Sequence, residues 1–359
     1  MTIQIPARTK LPLTVLCLAV ILGAGLSAFY TYRQTNSPGS TEAQKGDNDL
    51  AQQRFPEAVA AFTAATKLAP NDGALFARLY RAELAVNNGP AARAAAKRAY
   101  DLLPQDGDAA GLYGLLEKKY GGRDTVLTAL RQAHRLKPED ADYLHGLVQI
   151  EMTMLSLADA ERDLAPWLKT HPDDPTANHL MAILLDQKAG SGNLQAALED
   201  ERKAHAASPN DLAITNELGD IYLKLDRPQD AAETFGEGLK LDPYSAKMLN
   251  GVVRAYQKMG NLPGATAAAG KLAAVEATRQ RITHLGDALS INPANVAAGT
   301  ELALLDEKVG DSQSAYQVLT KLVRAAPADA TSRRALSDFY RRHDRPGLAE
   351  DALRPSYLP

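Results

Sequence analysis

Apolar and polar residues follow a pattern that repeats along most of the chain with a period of about 34 residues. Stretches with apolar residues at helical spacing end at prolines, most of which are followed closely by Asn or Asp, as at a helix end and turn. Five intervals between these prolines are 34 residues, and the other two are 37 and 50 residues. The prolines are Pro70, Pro104, Pro138, Pro172, Pro209, Pro243, Pro293 and Pro327. This regularity predicts tandem helical repeats.

Each repeat also has small and large apolar residues at fixed distances before its proline. Small residues stand twelve and five residues before it in most repeats, as Ala231 and Gly238 do before Pro243. A larger apolar residue stands eight residues before it at Phe62, Leu130, Leu164, Phe235, Leu285 and Leu319. Small residues let helices approach closely, and the larger residue inserts as a knob against the neighbouring helix. The pattern therefore predicts a second helix in each repeat that interlocks with its neighbours.

The repeat over 212–245 resembles the tetratricopeptide repeat (TPR) family. The resemblance rests on Leu218, Gly219, Tyr222, Ala231, Phe235 and Pro243, which have the family's spacing. It implies an all-α fold, an α-α superhelix or TPR solenoid, of about nine helix-turn-helix repeats over 39–359. The repeats begin near Gly39, Gly73, Gly107, Ala141, Pro175, Leu212, Ala246, Val296 and Ala330.

The interval of 50 residues before Pro293 predicts one elongated second helix rather than an extra helix. Apolar residues keep helical spacing from Leu272 to Leu289, and no proline interrupts 264–292. An extra helix would reverse the direction of the later repeats, whereas elongation keeps it. We therefore expect a helix over about 264–292, about 42 Å long, whose end protrudes from the solenoid.

The N-terminal region predicts a membrane anchor and a tether before the repeats. Residues 11–30 are uncharged and mostly apolar, and a helix of that length spans about 30 Å. Arg8 and Lys10 precede it without any acidic residue, which favours a cytoplasmic segment over 1–10. The polar stretch 31–46 is typical of a flexible tether. The repeats would then face the periplasm or the cell exterior from a single-pass anchor in a bacterial inner membrane.

A cleaved signal peptide is the alternative interpretation of the same residues. The strongest apolar run, 11–22, is short, and small residues such as Gly23, Ala24 and Gly25 follow it. Cleavage would give a secreted periplasmic repeat protein in place of an anchored one.

Charge and cysteine content exclude several classes of function. Forty basic and 43 acidic residues give a net charge of −3, so we expect no nucleic-acid partner. The single cysteine, Cys17, excludes an internal disulfide framework and a cysteine zinc site. The chain contains no Gly-rich phosphate loop, HExxH or CxxC motif. We therefore expect no cofactor, no metal and no enzymatic activity.

Two groups of reactive residue types are interpreted as structural. The first, His171, Asp173, Asp174 and His179, surrounds a helix-stopping proline, where aspartates are typical of helix caps. The second, Ser337, Asp338 and His343, has the residue types of a hydrolytic triad but lies on one predicted helix without an oxyanion-hole signature.

The TPR resemblance implies that first helices line a concave binding face. Residues on that face by the family's pattern include Asn216, Asn250, Arg254, Lys258, Arg334 and Arg341, with Asp220 beside Asn216. The face becomes basic towards its C-terminal third, which would suit an acidic segment or the C-terminal carboxylate of a protein or peptide. The alternative is a solvated helix face that binds nothing.

These features favour a non-enzymatic, membrane-anchored scaffold for protein–protein interaction. The resemblance to anchored or exported bacterial TPR proteins implies an envelope assembly of the secretion, pilus, polysaccharide-export or cytochrome-maturation type. A cytoplasm-facing receptor that recruits soluble proteins to the membrane, and the secreted periplasmic form, are the alternatives.

Protease treatment of spheroplasts tests the orientation. Because positive charge precedes the apolar run, we expect the repeats to be digested while a cytoplasmic control protein stays intact. Survival of both would show that the repeats face the cytoplasm. A soluble mature chain that begins near Phe29 would show cleavage of the anchor.

Overall fold

Eighteen α-helices and no strand make up the residues that the computed structural model describes, 38–188 and 191–357. Their contacts divide the chain into two units, the first ending at Thr170 and the second beginning at His171. No helix within these described residues is long and apolar enough to cross a membrane. The predicted cytoplasmic segment 1–10 and membrane segment 11–30 lie outside the described residues.

The first unit consists of four helix pairs. Each helix packs against the next along the chain. The helices are α1 (Ser40–Ala51), α2 (Phe55–Leu68), α3 (Gly73–Ala85), α4 (Gly89–Leu102), α5 (Gly107–Tyr120), α6 (Arg123–Leu136), α7 (Ala141–Thr153) and α8 (Leu157–Thr170).

The second unit consists of five helix pairs with the same order of contacts. Its helices are α9 (Pro175–Gln187), α10 (Ser191–Ala207), α11 (Leu212–Lys224), α12 (Pro228–Leu241), α13 (Ala246–Lys258), α14 (Leu262–Ile291), α15 (Val296–Lys308), α16 (Ser312–Ala325), α17 (Ala330–Arg342) and α18 (Pro346–Ala352). The all-α repeat fold of about nine helix pairs predicted from the sequence is confirmed for the described residues.

Local side-chain chemistry determines where the first helices begin. Except at α1, which follows Gly39, the residue before each first helix accepts a hydrogen bond from a backbone N–H of the first turn, which stabilises a helix start by about 1 kcal/mol. These capping residues are Asp72, Asp106, Asp140, Asp174, Asp211, Ser245, Asn295 and Asp329. Each follows one of the periodic prolines by two residues. The proline and cap together explain why the predicted and observed first helices begin at the same residues.

A buried knob from the second helix locks neighbouring pairs together. The Phe235 ring of α12 is fully buried, and a Cβ atom built on Gly219 of α11 or Gly251 of α13 would lie 2.5 Å from it. The ring therefore occupies a gap between two first helices that only glycine leaves open. Leu130 of α6 occupies the equivalent gap beside Gly114 of α5 and Gly146 of α7.

The predicted tether over 31–46 is wrong for its last residues. Residues 40–46 belong to α1, and Ala43 and Gly46 are buried. Gly46 lies against the ring of Phe62, and Ala43 belongs to a core cluster with Ala65. The helix is polar over these first residues, and the small residues Ala43 and Gly46, followed by Leu50, face α2. The rest of the tether, 31–37, lies outside the described residues.

The elongated second helix is α14, with 30 residues from Leu262 to Ile291, where the sequence predicted about 264–292. Its N-terminal half packs against α13, but the expectation that its end protrudes is wrong. Ile282, Leu285 and Leu289 pack against Ala298 and Leu302 of α15. The C-terminal half of α14 therefore packs against the first helix of the next pair, because its apolar residues continue at helical spacing to Leu289.

Replacing either knob-flanking glycine should destabilise the fold. Gly219→Ala and Gly251→Ala should each lower the free energy of unfolding by about 1–3 kcal/mol, because the new methyl group overlaps the Phe235 ring. Gly236→Ala on α12 is the matched control, because its Cβ would meet nothing within 4 Å. It should raise helix stability by up to about 1 kcal/mol. Urea unfolding of the full chain, followed by circular dichroism, measures the free energy of unfolding of all three variants. Equal changes in the three variants would contradict the packing of Phe235 between the two glycines.

Candidate functional site

The sequence-predicted binding residues of α11 and α13 lie together in the second unit. Asn216 Nδ2 donates a hydrogen bond to Asp220 Oδ2 at 3.2 Å, and Asp220 Oδ1 accepts one from Arg254 Nη2. Asn250 is exposed one turn before Arg254. We call the surface formed by Asn216, Asp220, Asn250, Arg254 and Lys258 the first-helix face.

Arg254 and Lys258 are already paired with acidic residues of the preceding helix pair. The Arg254 guanidinium pairs with Asp220 and lies 6.0 Å from the centroid of the Phe235 ring. Lys258 Nζ donates to Leu223 O and to Asp226 Oδ1, each at 3.0 Å. These contacts hold both cations on the first-helix face and neutralise part of their charge.

Arg334 and Arg341 belong to a different part of the second unit. Both are exposed on α17, and Arg341 Nη1 donates to Asp338 Oδ1 on the same helix at 3.0 Å. Within the described residues, no hydrogen bond or ion pair joins them to the α13 cations. Between α13 and α17 stands α15, which packs on the C-terminal half of α14. The six predicted residues therefore form an α11–α13 group and a separate α17 pair.

Cross-pair ion pairs recur along the first helices of the second unit. Lys224 of α11 pairs with Asp186 of α9 at 2.6 Å, in addition to the Arg254–Asp220 pair. Arg342 of α17 forms two hydrogen bonds to the Glu307 carboxylate of α15. Each cation reaches back to the preceding first helix. Because these pairs are partly exposed, each contributes at most about 1 kcal/mol and mainly orients its side chains.

The structure separates the turn group that contains His171, Asp173, Asp174 and His179. Asp174 caps α9, whereas His179 projects from α9 towards α10. His179 Nδ1 lies 2.8 and 3.1 Å from the two carboxylate oxygens of Glu201. Within the described residues, no group of three His, Cys, Asp or Glu residues is arranged to hold a metal ion.

Glu201 and its neighbours have perturbed proton affinities. Burial raises the pKa of Glu201 to about 7, although its hydrogen bond with His179 works in the opposite direction. Burial alone would lower the pKa of His179, but the hydrogen bond and negative charge of Glu201 outweigh it and raise that pKa. Burial also raises the pKa of Glu217 on α11. These three residues form a titratable group that sequence reasoning did not identify.

The residue types of a hydrolytic triad are not assembled on α17. The Ser337 hydroxyl is buried and donates to Ala349 O at 2.7 Å. Asp338 pairs with Arg341, and His343 Nε2 lies 3.2 Å from Glu307 Oε1. Each of the three side chains therefore has a different partner.

Tandem helix pairs interlocked by buried knobs define the chain as an α-helical repeat protein, a class that offers extended surfaces for protein–protein interaction. The tetratricopeptide repeat family model matches residues 215–245, within α11, α12 and the turn that follows. Residues 215–245 are therefore a tetratricopeptide repeat, as the sequence resemblance predicted. No curated protein sequence matches the chain.

Several solved structures resemble the chain. PilW, described as a widely conserved type IV pilus biogenesis factor, has a TM-score of 0.48 and 16% identity over 59% of this chain and 97% of its own. YrrB, described as a TPR protein with an unusual peptide-binding site, has a TM-score of 0.43 and 18% identity over 53% and 96%. MamA from Desulfovibrio magneticus RS-1, from residue 41 onward, has a TM-score of 0.42 and 18% identity over 47% and 94%.

Proposed function

We propose that the chain is a membrane-anchored scaffold whose first-helix face binds a peptide segment of a partner protein. The observation that carries this proposal is the alignment of polar side chains, half-buried at Asn216 and exposed at Asn250, on consecutive first helices. Asn216 and Asn250 occupy the same place in successive repeats, 34 residues apart. Interlocked helices hold these side chains at fixed spacing, so this surface loses little conformational entropy when a peptide segment binds.

The α13 part of the first-helix face supports an acidic segment or a C-terminal carboxylate as the ligand. Lys247, Asn250, Arg254 and Lys258 are exposed donors on α13. Arg254 uses one N–H donor for Asp220, and a guanidinium has five. Lys258 uses two of its three donors for Leu223 O and Asp226. The remaining donors are positioned for charge-assisted hydrogen bonds to a carboxylate.

The proposed anchor is residues 11–30 in a bacterial inner membrane, with the repeats in the periplasm. The support is the charge asymmetry around this apolar segment. Such an arrangement suits a scaffold in an envelope assembly for secretion, pilus formation, polysaccharide export or cytochrome maturation. Protease access and N-terminal sequencing distinguish it from a cytoplasm-facing receptor and from a secreted form.

Binding of an acidic peptide tests the α13 part of the first-helix face. The probe is a fluorescent 12-residue peptide with glutamates and a free C-terminal carboxylate, and the readout is anisotropy with the full chain in detergent. Changing Arg254 and Lys258 together to alanine should weaken binding 10- to 100-fold, or about 1.4–2.8 kcal/mol, because two charged donors are lost. Melting should change little, since both charged groups are partly exposed.

Two further variants sharpen this test. Changing Lys240 and Lys271 together to alanine removes the same charge from exposed positions on α12 and α14 and should leave binding nearly unchanged. Asp220→Asn should strengthen binding because it releases Arg254 from its internal partner. Equal binding by the Arg254/Lys258 variant and the parent at low salt would show that the α13 part of the first-helix face is a solvated surface that does not bind the peptide.

A further inference from the structure

Glu201 is a carboxylate at the knob position of its repeat. It stands eight residues before Pro209, where other repeats have Phe62, Leu130, Leu164, Phe235, Leu285 and Leu319. Its side chain is completely buried. An apolar residue would fill this place without losing hydration, and buried carboxylates are costly unless they are compensated. Two other buried glutamates, Glu117 and Glu151, pair with arginines, whereas Glu201 pairs with the titratable His179.

A second carboxylate occupies the position at which, in two other repeats, a glycine leaves the gap that the knob fills. Gly146 follows Leu130 by sixteen residues, and Gly251 follows Phe235 by the same distance. Sixteen residues after Glu201 comes Glu217, which is half-buried on α11. In this repeat, the knob and the residue that faces it are therefore both acidic.

His179 connects the buried carboxylate with the first-helix face. It precedes Asn216 by 37 residues and Asn250 by 71, so it occupies their place in its own, longer repeat. The His179 side chain is 18% exposed, whereas that of Glu201 is 0% exposed. When the neutral imidazole donates from Nδ1 to the Glu201 carboxylate, its Nε2 is left as an acceptor.

The charges around this group are predominantly negative. From α9 comes Asp186, which pairs with Lys224 of α11. From α11 come Asp220, paired with Arg254, and the capping residue Asp211. The Glu217 carboxylate has no hydrogen-bond partner among the contacts of the described residues. The Lys224 charge also acts on Glu217 and works to lower its pKa, but the Lys224 ammonium donates its hydrogen bond to Asp186. Arg254 likewise donates to Asp220, so Glu217 has no hydrogen-bonded cation among the described residues.

We propose that His179, Glu201 and Glu217 form a subsite of the first-helix face that binds a lysine or arginine side chain of the peptide ligand and releases it on acidification. This inference rests on the proposed peptide-binding function and specifies its ligand. A suitable segment carries a basic residue at α9–α11 and acidic character at α13. Glu201 acts as a positioning residue, because it orients His179 and does not reach the surface itself.

The direction of the pH dependence follows from the proton affinities. The pKa values of Glu201, about 7, and of Glu217 are raised by burial, and the pKa of His179 is raised by Glu201. At alkaline pH the group is deprotonated, and it attracts a cation. As pH falls through about 7 the group gains protons and loses this attraction. Binding of a cation should therefore be coupled to proton release and should strengthen as pH rises.

A pair of matched peptides tests the subsite. One fluorescent 12-residue peptide contains a single central arginine within the acidic probe, and the other contains citrulline, which is neutral and of nearly the same shape. Binding to the full chain is measured at pH 6.0 and pH 8.5. The arginine peptide should bind about tenfold more tightly at the higher pH, while the citrulline peptide should show a much smaller change.

Variants of the buried carboxylate separate a ligand-binding role from a structural one. Glu201→Gln keeps the shape of the side chain and should abolish the extra pH dependence of the arginine peptide. Glu201→Leu introduces the residue of other repeats and should abolish it as well while raising the melting temperature, because a buried charge is removed. Glu237→Gln on the exposed side of α12 is the matched control and should behave like the parent.

The outcomes distinguish this inference from the proposed function. If the acidic probe binds through Arg254 and Lys258 but arginine and citrulline peptides share one pH profile, the subsite is wrong and peptide binding stands. An arginine-specific pH profile that survives Glu201→Gln would also overturn the subsite. If no peptide binds at any pH, the proposed function itself fails.

Discussion

Close packing of two first helices around one buried side chain is the constraint on which the rest of the structure depends. Phe235 occupies the gap left by Gly219 and Gly251, and Leu130 occupies the equivalent gap in the first unit. A repeat of this kind cannot bury its apolar side alone, so each pair derives stability from its neighbours. The same contact fixes the rotation of the first helices that it joins, and therefore which side chains form the first-helix face.

Local signals made most of the fold predictable from the sequence. A proline followed two residues later by a capping side chain, as with Pro209 and Asp211, ends one helix and begins the next without help from distant residues. The bounds of α14 were predicted closely, but the burial of its C-terminal half was not, because that half packs against Leu302 on the following helix. The start of α1 near Gly39 was predicted by the repeat spacing, but the same residues were also assigned to the tether because the helix is polar.

The candidate site was less predictable because its properties depend on pairing between repeats. The sequence places Arg254 and Lys258 on one helix face, but only the folded chain shows that Asp220 and Asp226 partly neutralise them. Glu201 left a usable signal, since it interrupts the row of apolar residues eight positions before the prolines. Its partner His179 had no such signal, because the sequence associated it with a turn. The first-helix face is therefore acidic and titratable at α9–α11 and basic at α13, and this polarity would give the proposed peptide ligand a direction.

Energetic coupling between the knob and its gap tests this account most directly. A double-mutant cycle between Phe235 and Gly251 compares the cost of Gly251→Ala in the parent with its cost in a Phe235→Ala background. If the ring fills the gap, the methyl group is destabilising in the parent but neutral or stabilising once the ring is removed. An unchanged cost in both backgrounds would contradict the claim that this contact determines the repeat packing.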